Sequence, residues 1–260
     1  MKTMKLLLPI ALGIAVLAAW EFLVRDFAVP KFVLPAPSLI ATGFAASFPT
    51  LIAATWTTLR IVLIAFALAV TTGVALAVLF SQSRLIEFAL YPYAVILQVT
   101  PVVAIAPLIV LWSGYEHIDR ALLILAWIVA FFPVLSNTTL GLKSADHNLI
   151  ELFRLYGASR WQILTRLQLP TALPYLLNAI KISGGLSLIG VIVAEFAAGT
   201  GTDTGLGWII IESGNRLHTE TMFAALVILS ILGIAIFFAL TGLEWLLLHR
   251  WHESAVRQQT

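Results

Sequence analysis

The sequence contains no cysteine. That excludes disulfides and thiolate metal sites, but it identifies no compartment. Charge is the second shortage. Only 11% of the 260 residues are Asp, Glu, Lys or Arg, where a soluble domain carries about 25%. So few charges cannot cover a water-facing surface, and much of the surface must meet lipid. The formal net charge of +2 is too small to point to nucleic acid. A G-x-x-x-x-G-K-[ST] phosphate loop is missing, so a nucleotide would have to be bound by another chain. The histidines His117, His147, His218, His249 and His252 show no H-E-x-x-H spacing and read as loop residues rather than ligands or catalysts. Ser183 and Ser187 lack the flanking glycines of a nucleophile elbow. Internal repeats and low-complexity tracts are also absent, and the length allows one membrane domain over residues 1–260.

What the sequence does have is apolar length. Hydrophobic residues make up 60% of it, and a spanning helix needs about 20 of them in a row. Six stretches qualify, at 6–24, 56–80, 89–112, 121–142, 180–198 and 222–248. The fold class is therefore an all-α integral membrane protein of about six transmembrane helices. The first stretch follows Lys2 and Lys5 but exceeds the ~7–15 residues of a signal-peptide core and is followed by no A-x-A site, so it is expected to be retained. Lys and Arg set the orientation. An inner N-terminus and C-terminus place Lys2, Lys5, Arg84, Lys143, Arg154, Arg160, Arg166, Lys181, Arg250 and Arg257 inside. Arg25, Lys31, Arg120 and Arg216 then lie outside, and Arg60 sits in the outer part of the second span. Ten against four favours this N-in, C-in arrangement.

The loops differ. Residues 25–55 hold Pro30, Pro35 and Pro37 and a short surface helix expected from Ser38. In the Gly- and Thr-rich outer loop 199–221, the Trp208-Ile-Ile-Ile211 run suggests a short helix at the outer interface, among Asp203, Glu212, Asn215 and Arg216. The inner loop 143–179 carries the sharpest signal. Asp146 can cap a helix and Gly157 suits a left-handed position that ends it. Ser159-Arg160-Trp161-Gln162 has the form of a capping box. A second helix then starts and is expected to stop before Pro170. The result is a cytoplasmic helix–turn–helix presenting Arg154, Arg160, Arg166 and Trp161. It serves either as a docking platform or as an interfacial loop carrying positive-inside arginines.

Glu151, then Gly157, then nine residues, then Leu167-Gln168-Leu169-Pro170 resembles the EAA motif of bacterial ABC importer permeases. Other segments are similar to the nitrate, sulfonate and taurine branch of that family. They are Leu34-Pro35-Ala36-Pro37-Ser38, Thr100-Pro101, Ala106-Pro107-Leu108, Gly157-Ala158-Ser159-Arg160, Leu169-Pro170 with Pro174, Val193-Ala194-Glu195 and Gly205-Leu206-Gly207. The resemblance covers nearly the whole chain after residue 30. Leu152 and Phe153 depart from it by replacing two alanines, and their bulk is expected to alter how this helix packs and docks.

The resemblance implies a bacterial inner-membrane permease without its own ATPase. Glu151, Arg154, Gly157, Ala158, Ser159, Arg160, Leu169 and Pro170 would form the coupling loop, seated in a groove of a cytoplasmic ABC ATPase. An ATPase dimer would bind ATP and Mg, a second permease chain would complete the pathway, with a homodimer favoured, and a soluble binding protein would deliver solute outside. The solute would be small and polar, such as an alkanesulfonate, taurine or nitrate. Similarity from Asn215-Arg216-Leu217 through Met222-Phe223-Ala224-Ala225-Leu226 to other permeases adds pyrimidine precursors of thiamine. This chain itself would carry no cofactor and no metal.

Several polar residues lie within the spans. Glu195, near the outer end of the fifth, is a pathway or gate residue, a partner for Arg60, or a helix-end carboxylate in water. Gln98, Thr100, Pro101 and Pro107 would kink the third span beside a solute cavity or simply pack it, because proline frees carbonyls that something must satisfy. Ser136, Asn137, Thr138 and Thr139 are pathway residues or interhelical hydrogen-bonding groups. Ile182-Ser183-Gly184-Gly185-Leu186 superficially resembles an ABC signature but reads as close helix packing. Glu21 and Glu244 read as interfacial. An ion- or proton-coupled secondary transporter is the competing function; it would be expected to show inverted repeats or several buried acids.

Overall fold

Apolar runs of this length leave no water to satisfy their backbone polar groups, so the chain must close its hydrogen bonds within each segment. The computed structural model describes residues 2–198 and 205–248, and among them every regular element is helical. Asp203, His249, Arg250, His252 and Arg257, and the side chains of Lys2 and Lys5, lie outside the described residues. The helices are α1 (Lys2–Asp26), α2 (Pro37–Ala46), α3 (Phe48–Gln82), α4 (Arg84–Val99), α5 (Val102–Ser113), α6 (Ile118–Lys143), α7 (His147–Leu155), α8 (Arg160–Ile163), α9 (Leu169–Ala198), α10 (Leu206–Asn215) and α11 (Thr219–Leu248).

Among the described residues, five helical runs are long and apolar enough to cross a bilayer. The expected third span is different. It is split into α4 and α5, which meet at 103°, so six spans result only if this broken pair counts as one. Pro101 is the cause. It cannot donate, and it forces the preceding Thr100 out of the helical region to ψ 124°. A second departure lies at Pro170. The helix beginning at Arg160 does not stop there but runs on to Ala198. A π-helical turn over Leu164–Gln168, closed by the Leu169 N–H on the Leu164 carbonyl, widens the backbone just ahead of the proline. That extra residue in the turn absorbs the missing donor and the ring clash.

The chain divides into two compact units, residues 1–57 with 202–231 and residues 58–201 with 232–260. In the first, Glu21 accepts from Arg25 at 2.6 Å and from the Ser38 hydroxyl at 2.8 Å, so this acid ties α1 to the start of α2. The Thr219 hydroxyl donates to the Lys31 carbonyl at 2.6 Å, and Trp20 lies against Phe223. Leu206 and Ile209 are buried, so α10 packs into this unit.

The second unit is built on α6 and α9. Its core gathers Phe80, Phe131, Leu135, Leu142, Leu164 and Ala172. Small residues let the two helices approach: a Cβ on Gly190 would sit 2.8 Å from Ala126 Cα. Ser183 is fully buried and donates to the Ala130 carbonyl at 2.8 Å, and Gly184 lies against Leu240, so this stretch is packing surface. Lys181 pairs with Glu244 at 2.6 Å, which gives Glu244 a partner within the bundle.

Candidate functional site

The inner loop begins where α6 ends. Lys143, in the last turn of α6, forms an ion pair with Glu87 of α4. Asp146 then caps α7, its carboxylate accepting from the Asn148 N–H at 2.8 Å. The exit from α7 is a Schellman turn. The Ala158 N–H donates to the Phe153 carbonyl and the Gly157 N–H to the Arg154 carbonyl, both at 2.9 Å. Gly157 has φ +73°, and a Cβ there would meet nothing within 4 Å. Glycine is therefore favoured by the backbone and not by crowding. Ser159 follows as the cap of α8, with both halves of the capping box formed: the Ser159 N–H donates to Gln162 Oε1 at 2.7 Å, and the Gln162 N–H donates to Ser159 Oγ at 3.3 Å. Ile163 and fully buried Leu164 then fasten the loop to the α6–α9 core.

Two hydrogen-bonded ends thus hold a helix that buries nothing. No residue of α7 is buried. Leu149, Leu152 and Leu155 recur at spacings of three, and Leu155 and Tyr156 are both 84% exposed. Leu152, one of the two departures from alanine, lies in this exposed stripe, while Phe153 is half-buried. Arg154 pairs with Glu151 of the same helix at 2.7 Å. Arg160 and Trp161 are exposed just beyond the turn, whereas Leu169 and Pro170 belong to α9 itself.

The polar residues of the spans are not gathered into one constellation of hydrogen bonds. Gln98 and Pro101 are exposed at the α4–α5 break. The Thr100 hydroxyl turns back to the Ile96 carbonyl at 2.7 Å, and Asn137 Nδ2 turns back to the Pro133 carbonyl at 2.8 Å. Glu195 is 4% exposed and accepts from the Thr58 hydroxyl at 2.9 Å. Arg60, one of the partners considered for it, is exposed and forms no ion pair with it among the described residues. The pairing was missed because Thr58 and Arg60 lie only two residues apart, and facing decides between them. Sequence reasoning also missed the turn at 81–84, which lines a cleft together with the inner loop; no local pattern links residue 84 to residue 160. Among the described residues no group of three or more His, Asp or Glu is placed to hold a metal.

Comparison with known proteins agrees with this architecture. Residues 69–244 match the family model for the binding-protein-dependent transport system inner membrane component. The chain is 35% identical over 249 residues to the riboflavin transport system permease protein RibX of Chloroflexus aurantiacus, covering 95% of this chain and 90% of that one. It is 33% identical over 241 residues to the formylaminopyrimidine transport permease protein ThiX of Halalkalibacterium halodurans, covering 92% and 94%. In fold it resembles a chain of the MetNI methionine ABC transporter in an inward-facing conformation, with a TM-score of 0.64 at 22% identity over 75% of this chain and 94% of that one. The chain belongs to the inner-membrane permease family of binding-protein-dependent ABC transport systems.

Proposed function

We propose that this chain is the translocation subunit of an ATP-driven importer, with α7 and its turn as the part that engages the ATPase. The observation that carries this reading is the unburied apolar stripe of α7, held between hydrogen-bonded caps at both ends. An exposed apolar stripe beside arginines is the surface a partner covers, and the EAA-like residues Glu151, Arg154, Gly157, Ala158, Ser159 and Arg160 surround it. Closure of two ATPases on ATP and Mg pulls on two such loops. Because α8 continues into α9, that pull passes directly into a membrane-crossing helix. The N-in, C-in orientation puts the loop in the cytoplasm. A second copy of the chain completes the pathway within one permease domain of residues 1–260, and a soluble binding protein delivers solute to the outer face.

Gln98, Thr100 and Pro101 at the broken α4–α5 pair, together with Asn137 and Glu195, supply the polar groups of the pathway. Broken helices suit this role, since irregular backbone at membrane depth needs a cavity or protein to satisfy it. The solute is a small polar organic molecule. Riboflavin and formylaminopyrimidine, named for two relatives aligned over most of this chain, both carry a pyrimidine ring. A pyrimidine-bearing solute is therefore the first choice, with alkanesulfonate, taurine and nitrate as the comparison set.

The test is labelled-solute uptake by host cells lacking this gene, with and without the gene restored, together with mass spectrometry of what co-purifies with the tagged chain in mild detergent. Restored uptake of a pyrimidine solute and an ATPase at about one copy per permease are expected. Uptake that persists without any ATPase would return the secondary-transporter reading.

A further inference from the structure

The turn joining α3 to α4 and the α7–α8 loop enclose a cleft of about 620 Å³ within the second unit. Its lining includes Arg84 and Ser83 from the turn, Arg154 and Arg160 from the loop, and Gln82 and Gln168. Among the described residues no aspartate or glutamate lines it. Arg154 is engaged by Glu151, but Arg84 and Arg160 form no ion pair among the described residues. A concave site with two uncompensated guanidinium groups, flanked by hydroxyl and amide donors, suits a phosphate oxyanion, which arginine can grip through two parallel N–H bonds. The surroundings favour a lipid phosphate over a soluble one. Leu85 and Phe88, one helical turn apart beside Arg84, are 79% and 73% exposed. Trp161, beside Arg160, is exposed as well, and aromatic rings of this kind concentrate at headgroup depth.

We propose that this cleft seats the phosphate headgroup of an anionic phospholipid of the inner leaflet, with the acyl chains lying along Leu85 and Phe88. A lipid held there contacts the α3–α4 turn and the proposed coupling loop together, so the anionic lipid content of the membrane sets how firmly the loop is braced. The inference rests on the membrane placement of this end of the bundle and does not require that α7 bind an ATPase.

The test uses the purified full chain in nanodiscs of phosphatidylcholine, or of phosphatidylcholine mixed with phosphatidylglycerol, with retained lipid counted by native mass spectrometry after detergent release. Wild type should retain phosphatidylglycerol over phosphatidylcholine. Arg84→Gln should lower that preference about fivefold, the worth of one basic residue at an anionic surface. Arg84→Lys should keep a good part of it, and Arg216→Gln, far along the chain, should leave it unchanged. Unchanged melting of each variant in detergent separates lipid loss from misfolding. Equal retention of both lipids, no response to Arg84→Gln, or displacement of the lipid by excess inorganic phosphate would each overturn the proposal. Because no ATPase is present in this assay, its failure leaves the importer reading untouched.

Discussion

Helices α6 and α7 are separated by three residues, yet their sequences meet opposite demands. In α6, half of the most apolar window is buried, and its neighbour α9 comes close enough that Gly190 admits no side chain. In α7 nothing is buried, and its leucines lie open. The first helix is built to stay in one arrangement with its partner in the same chain. The second is held by its ends and offers its face outward. A coupling element needs both properties. In the proposed coupling role, the exposed face would receive the pull of the ATPase, and the close-packed pair would carry it onward.

That contrast can be broken from either side, and the largest effect should come from the packed side. Gly190→Leu drives α9 off Ala126, and should cost about 1–3 kcal/mol or more, read as a lower melting temperature of the purified chain and poor recovery from the membrane. Gly157→Asp acts on the exposed side. A left-handed non-glycine costs about 1–2 kcal/mol, confined to a turn with open space around it. The chain should insert and melt nearly as wild type while solute uptake collapses. Gly157→Asn, which is isosteric with the aspartate and tolerates this conformation about as well but adds no charge at the proposed ATPase contact, should retain more uptake. Ser159→Ala removes half of the capping box and should loosen the loop by about 1 kcal/mol, seen as faster amide exchange over α8 with membrane insertion intact. Thr58→Val is the smallest. It removes a hydroxyl donor to buried Glu195 and should cost about 0.6 kcal/mol, the usual scale for such bonds between membrane helices.

The parts of the loop that could be read in the sequence are those decided within a few residues. Asp146, Gly157 and the Ser159–Gln162 pair each act on backbone groups no more than five positions away, so their chemistry is written locally. The spans were legible for a similar reason, since apolar length alone decides them. The bend at Thr100-Pro101 was visible as a proline but not as 103°, because the angle depends on what packs around the freed carbonyls. Continuation through Pro170 was hidden because it depends on a π-helical turn that no residue type announces. Glu195 meeting Thr58, and Arg84 lining the same cleft as Arg160, are contacts between distant segments. They exist only once α3 has found its place in the bundle.

The absence of cysteine makes the decisive measurement direct. Leu152→Cys would place the sole thiol of the chain on the exposed face of α7, at a position 45% exposed in the isolated chain. In native membranes, a short thiol-to-amine crosslinker attached there should yield one adduct, containing the ATPase, whose yield changes when ATP and Mg are added. A thiol that crosslinks only to lipid or to the permease itself, or that is reached only from the outer side, would contradict the assignment of α7 as the ATPase-coupling helix.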